Sequence, residues 1–489
     1  MSKDNSLSKG TKDGVIWNSI NQFGTIAIGF IISTILARLL LPEDYGLIAM
    51  ILVITSLSEV FIDSGFKSAL IQFKEVDEKD YSTIFFFNLV VGGCFSLGFF
   101  LLADWFATFY DNEILANLTR AISFMYVINS LAIVQEAKLT RALEFKKLAI
   151  IKLVALIISG SVGIIMATLD FEVWSLVAQR LSMSIINVLL LFIFIRWLPI
   201  LIFDFERVKK FWKYSSYMLG NKISQTAIMK LDIFIVGKIF EPAALGLYQK
   251  AKSLNQMPST FISGIVSKTF FPVFSRQQDN LDQVRISYFR IIEIMSYAVI
   301  PIFGWLFFIA EDLVILLFTE KWIGMVTFFQ LFCLAGFLWP INALKINLTN
   351  ALGRSDFTFK QSILITSTRL ILLLSLFLIP SAIKVEYLIY IYIFVFYLAF
   401  FSACYLLYST LQISILKQIE EIFLPLVFTV IGVYFGSLLL DLNPLDNRLI
   451  NIIGASIIFS VLYLFILYLF KRNLVMELIQ VLKTARLRK

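Results

Sequence analysis

Fourteen stretches of this chain are each apolar over about the 20 residues that an α-helix needs to cross a bilayer. They cover residues 15–40, 45–64, 83–103, 116–136, 149–168, 173–195, 215–239, 246–268, 289–309, 324–346, 361–381, 385–409, 422–440 and 449–470. A span must satisfy its own backbone in lipid, so stretches of this length read as helices. Composition agrees: 59% of the 489 residues are hydrophobic, 16% are charged and 49 are Phe, with a mean hydropathy of +0.85. A water-soluble core cannot enclose that much apolar surface. The expected fold is an all-α polytopic membrane protein of about 14 transmembrane helices.

The connections alternate in charge. Basic ones hold Lys3, Lys9 and Lys12; Lys138, Arg141, Lys146, Lys147 and Lys152; Arg196, Arg207, Lys209, Lys210 and Lys213; and Lys471, Arg472, Lys483, Arg486, Arg488 and Lys489. The intervening ones, Pro42 to Asp44, Asp104 to Glu113, Asp170 to Glu172 and Asp441 to Arg448, are nearly free of Lys and Arg. The positive-inside rule then places both termini in the cytoplasm. The net charge of +8 is read as a topology signal, and nucleic acid is not expected as a partner. Residues 1–14 are polar and basic, and the apolar run after them is too long for a signal-peptide core, so no cleavable signal is expected.

The chain also repeats itself. At an offset of 200, Asn21 meets Asn221, Arg38 meets Lys238, Pro42 meets Pro242, Gly46 meets Gly246 and Leu47 meets Leu247. At 209, Leu139-Thr140-x-Ala142-Leu143 meets Leu348-Thr349-x-Ala351-Leu352. Six segments separate the copies, and an even number preserves orientation, so two parallel six-helix repeats plus two C-terminal helices are expected. The organisation reads as a cytoplasmic N-terminus (1–14), an N-lobe (15–195), a basic linker (196–214), a C-lobe (215–410), two further helices (411–470) and a basic tail (471–489).

Polar groups inside apolar segments mark candidate sites, because lipid tolerates them only where they face protein or water. Asn18, Asn21, Gln22 and Thr25 share a face of the first segment, and Asn221, Gln225 and Asp232 a face of the seventh. Lys222 and Lys230 lie to one side of that second stripe. With Arg180, Lys345 and Arg369 they are candidate cavity residues; glue between helices is the competing reading of the stripes. Glu59 and Asp63, four apart on one face, are candidates for coupling through reversible protonation. Cations outnumber anions at these depths, which favours an anionic substrate such as phosphate. Pro42, Gly46, Pro242 and Gly246 read as structural turns. Pro258, Pro272, Pro301 and Pro340 read as kinks, either static or hinge-like.

There is no His, and Cys94, Cys333 and Cys404 lack metal spacing, so no metal and no cofactor are expected. The tail, with Leu474, Val475, Leu478, Ile479 and Leu482 at near-helical spacing, and the linker, with Trp197, Phe205, Phe211 and Trp212 among its cations, read as interfacial amphipathic segments.

Several motifs resemble one family. Ala37-Arg38-Leu39-Leu40-Leu41-Pro42-Glu43-Asp44-Tyr45-Gly46 is similar to the first outer loop of the polysaccharide exporters of the multidrug/oligosaccharidyl-lipid/polysaccharide flippase superfamily. Asn221, Asp232, Gly237, Leu245-Gly246-Leu247-Tyr248-x-x-Ala251, Leu254 and Pro258 resemble its second-half signature, and Phe271-Pro272-Val273-Phe274-Ser275-Arg276 and Lys321-Trp322 continue it. The resemblance covers nearly the whole chain and is closest to the branch of colanic-acid and teichuronic-acid exporters. It implies that undecaprenyl-diphosphate-linked oligosaccharide is moved to the outer leaflet by alternating access around a cationic central cavity. Membrane lipid and polysaccharide polymerase or export machinery would be partners. The competing readings are a drug/cation antiporter, a lipid II flippase and a membrane glycosyltransferase or polymerase. The enzyme reading lacks the positioned acids, bases and large outer loops that such chemistry uses.

Overall fold

The computed structural model describes residues 2–63, 65–376, 384–442, 448–472 and 476, and among these all secondary structure is helical. The first half runs α1 (Ser2–Leu39), α2 (Pro42–Asp63), α3 (Phe66–Gln72), α4 (Glu78–Leu101), α5 (Ala103–Tyr110), α6 (Ile114–Arg141), α7 (Phe145–Thr168) and α8 (Val173–Ile195). The second runs α9 (Phe205–Ile239), α10 (Pro242–Gln277), α11 (Leu281–Phe308), α12 (Ala310–Phe318), α13 (Met325–Gly336), α14 (Leu338–Ala351), α15 (Ser355–Ser375) and α16 (Val385–Leu411). α17 (Ile415–Leu442) and α18 (Arg448–Phe470) close the chain. With α2 and α3 taken together, and α13 and α14 likewise, the order of elements repeats: two long helices, a long one with a short helix behind it, then three more. The short helices α5 and α12 occupy stretches with no span of their own, one inside an expected outer loop. The amphipathic tail expected over Leu474 to Leu482 lies outside the described residues.

Twelve stretches among the described residues are long and apolar enough to cross a membrane, counting α2 with α3 and α13 with α14 as one each. Fourteen were expected. The two that fall short are α9 and α10, 35 and 36 residues long. Both are amply long, but Lys222, Lys230 and Asp232 in α9 and Lys250, Lys252 and Lys268 in α10 dilute their hydropathy.

The chain divides into two compact units, Met1–Gln249 and Lys250–Lys489. In the first, Phe66, Phe85 and Phe211 form an aromatic core with Ile84, Val134 and Val208. The start of α4 is fixed by a capping box: Asp77 Oδ1 accepts from the Asp80 amide (2.7 Å) and Asp80 Oδ2 from the Asp77 amide (3.2 Å). The basic linker docks on this turn. Arg207 donates to Asp77 (2.5 Å) and Asp80 (2.7 Å), Lys210 to Asp80 (2.9 Å), and Trp197 Nε1 to Glu78 (2.5 Å). The Arg207 guanidinium holds the Asp77 carboxyl below its ordinary range. Part of the linker's positive charge is therefore neutralised by its own unit.

In the second unit two prolines leave orphaned carbonyls that neighbouring helices satisfy. Pro301 cannot donate to the carbonyl four residues back, that of Tyr297, and the Tyr463 hydroxyl on α18 donates to it instead (3.0 Å). Pro340 likewise orphans the Gly336 carbonyl, and Ser259 Oγ on α10 donates to it (3.2 Å). Helical dihedrals persist at Phe337 (φ −64°, ψ −24°), so the α13–α14 break is a missing hydrogen bond rather than a loop. Tyr463→Phe is expected to destabilise the protein by about 1–3 kcal/mol, the penalty for a buried acceptor left unmade. A thermal melt in detergent, compared with wild type, measures it.

Candidate substrate and coupling site

The first unit interrupts α2 to build its charged interior. Gly65 takes a left-handed conformation (φ 71°, ψ −4°) just before α3. The break re-aims the chain so that Lys67, on α3, meets Glu136, on α6, in a part-buried ion pair. The Asn187 side chain on α8 lines the same pocket as Glu136, and Lys152 on α7 lies within the electrostatic reach of that carboxylate. Glu59 on α2, Lys67, Asn129, Glu136 and Asn187 line one pocket of about 250 Å³. That volume holds several waters, so these charges can be hydrated without leaving the bundle. Glu59 in turn feels the charges of Arg180 on α8 and Lys230 on α9.

The structure thus brings Glu59, Arg180 and Lys230 together with Lys67 and Glu136, residues that the sequence reading did not select. Asp232 is placed elsewhere: it is buried, and the Tyr248 hydroxyl on α10 donates to it at 2.7 Å. Lys222 is half-buried on α9 and Gln22 half-buried on α1. Thr25 Oγ1 donates to Asn21 Oδ1 within α1 (3.4 Å). The side chains of Asn18, Asp63, Asn221 and Gln225 lie outside the described residues. Arg120, another ionisable group near membrane depth, donates from one nitrogen, Nη2, to both carboxylate oxygens of Asp104 (2.7 Å to each).

In the second unit, Lys345 is 1% exposed, with its ammonium 2.8 Å from Cys404 Sγ and 3.6 Å from the Phe400 ring centroid. Arg369 is half-buried on α15. A pocket of about 550 Å³ in this unit is apolar, lined by residues that include Phe303, Phe307, Leu334, Phe337, Val430 and Tyr434. It has room for hydrocarbon and little to hold a charge. No cluster with metal-ligand character occurs among the described residues.

A charged pocket inside a bundle of apolar helices is the setting for moving a polar cargo through lipid. The family model for polysaccharide biosynthesis proteins matches residues 35–327. The chain belongs to that family. Two curated relatives of this polysaccharide biosynthesis protein are the lipopolysaccharide biosynthesis protein WzxC of Escherichia coli, 24% identical over 73% of both chains, and the teichuronic acid biosynthesis protein TuaB of Bacillus subtilis, 22% identical over 72% of this chain and 74% of that one. Among solved structures the fold is similar to the lipid II flippase MurJ in an inward closed conformation (TM-score 0.72, 15% identity, 94% of this chain and 100% of that one). It is also similar to an inward-facing multidrug resistance MATE transporter (TM-score 0.61, 13% identity, 82% and 99%). The polysaccharide biosynthesis protein described here is therefore a multi-pass membrane protein that shares the fold of these two solved structures.

Proposed function

We propose that the protein flips an undecaprenyl-diphosphate-linked oligosaccharide, a repeat unit of capsule, O-antigen or exopolysaccharide, from the cytoplasmic to the outer leaflet by alternating access. The observation that carries this reading is the charged interior of the first unit, where, among the described residues, Lys67 and Lys152 act on Glu136 while Arg180 and Lys230 act on Glu59. A surplus of cations in a hydrated pocket suits a diphosphate, and Arg180 can present two parallel donors to it. Glu59 is the coupling candidate, because its charge state sets the net charge that Arg180 and Lys230 present. The apolar pocket of the second unit has the volume and lining to accept part of a polyprenyl chain.

On this reading α9 and α10 also cross the bilayer, with their charges turned to protein or water, and fourteen spans leave both termini cytoplasmic. Deleting the gene is expected to remove surface polysaccharide and trap intact lipid-linked repeat units on the cytoplasmic side, with the wild-type gene restoring both. Normal surface glycan combined with new sensitivity to cationic drugs would overturn the flippase reading in favour of an antiporter.

A further inference from the structure

The two repeats touch at one place where neither has a side chain. Pro42 opens α2 and Pro242 opens α10, each at the first helical position, which needs no amide donor. Four residues on, Gly46 and Gly246 are both buried. A Cβ on Gly46 would lie 1.7 Å from the Pro242 carbonyl oxygen, and a Cβ on Gly246 would lie 1.8 Å from the Pro42 carbonyl oxygen. The contact is reciprocal: each turn's proline carbonyl occupies the space that the other turn's glycine leaves. The Cβ on Gly246 would also lie 3.1 Å from the Gly46 amide nitrogen, so the two backbones are in direct contact.

The surroundings hold the turns in shape without interlocking them. The Leu41 amide donates to Asp44 Oδ2 (2.9 Å), which fixes the first turn. Lys238, the counterpart of Arg38, donates to the Phe109 carbonyl at the end of α5, and its ammonium lies 4.8 Å from the Phe109 ring. Phe109 stacks on Phe234 of α9 (5.5 Å). A backbone-to-backbone contact of this kind has two properties. It is short-ranged and weak, resting on van der Waals and Cα–H···O contacts, so it can part without unpicking interdigitated side chains. It is also exclusive, because one added methyl group on either glycine forbids it.

We propose that the Pro42–Gly246 and Pro242–Gly46 pair is a reciprocal latch that joins the amino ends of α2 and α10 in one transport state and releases them in another. The glycines are then conformational determinants beyond their role as turn residues. The latch gives the transporter reading a moving part, but it is read out without substrate, so its failure leaves the flippase assignment to the deletion experiment.

The test uses the full-length chain in lipid nanodiscs, with Cys94→Ser removing the exposed native thiol. Spin labels placed at Glu43 and Glu241, both exposed, report the separation of the turns by pulsed electron resonance. Wild type is expected to show a short distance and a second, longer one. Gly46→Ala and Gly246→Ala are each expected to raise the long-to-short ratio by about five- to 150-fold, the shift that an overpacked contact produces. The double variant should add little, because the first methyl group already breaks both halves of the contact. Gly98→Ala, where an added Cβ meets nothing within 4 Å, should match wild type. A single short distance in wild type and in alanine variants that still fold would overturn the latch. If the alanine variants do not fold, wild type decides: two distances sustain the proposal, and one short distance at every pH and lipid composition tried overturns it.

Discussion

Gly65→Ala is expected to cost about 2–5 kcal/mol, the sum of two independent penalties. The first is conformational: at φ 71° an L-residue with a Cβ sits in the left-handed region, which glycine alone enters freely. The second is steric: that Cβ would lie 2.6 Å from the Ser215 carbonyl oxygen and 3.0 Å from Met218 Cβ, both on α9. A backbone oxygen cannot rotate away as a side-chain tip can, so α9 or α3 must move. Movement of α3 shifts Lys67, and with it the Glu136 pair. The substitution should therefore lower the melting temperature in detergent and also reduce transport in whatever protein remains folded. A melting temperature equal to that of Gly98→Ala would show that the α2–α3 break is not fixed at Gly65.

Charge reversal is expected to have the larger functional effect. Arg180→Glu, Lys222→Glu and Lys230→Glu should each abolish surface polysaccharide while leaving folded protein in the membrane. Arg180→Glu turns an attraction for Glu59 into a repulsion and removes a two-pronged donor from the neighbourhood of that carboxylate. Arg180→Lys keeps the charge but loses the fork, and is expected to retain part of the activity. Glycan export and membrane abundance, scored side by side in the deletion strain, separate lost function from lost protein. Full export from all three reversals would sink the cationic-pocket reading. Lys222 is the most informative of the three, since Arg180 and Lys230 both act on Glu59, a wall of the pocket, and Lys222 is not among the charges that do.

The helices were legible because lipid imposes one rule on every span: enough apolar residues in a row. α4, α7 and α18 follow it so plainly that their positions could be read directly. α9 and α10 show its limit. They carry their charges along the helix, so hydropathy separates them from the twelve candidate spans even though their length does not. The proline turns were legible from the 200-residue offset, but their mutual contact was not, because a repeat shows equivalence and says nothing about touching. The same holds for the pocket. Glu136, at the end of an apolar segment, drew no notice in the sequence, and Lys67, 69 residues away, becomes its partner only through the break at Gly65. Asp232 illustrates the converse: helical periodicity put it on a polar stripe, and Tyr248, six residues beyond Pro242, donates a hydrogen bond to it.

The Ser259 hydrogen bond to the Gly336 carbonyl has a mechanical consequence. A proline break in a lone helix is a soft joint, since nothing replaces the missing rung. Here the rung is supplied sideways, from α10, so the joint is braced by the helix next to it. Bending α13 against α14 would stretch a bond to a third element, and sliding α10 would strip the brace. The three pieces therefore carry load together, and a displacement begun in α10 is handed on to α13 and α14 with little slack. Stiffness at this point is a property of neighbouring helices, and it disappears with one hydroxyl group.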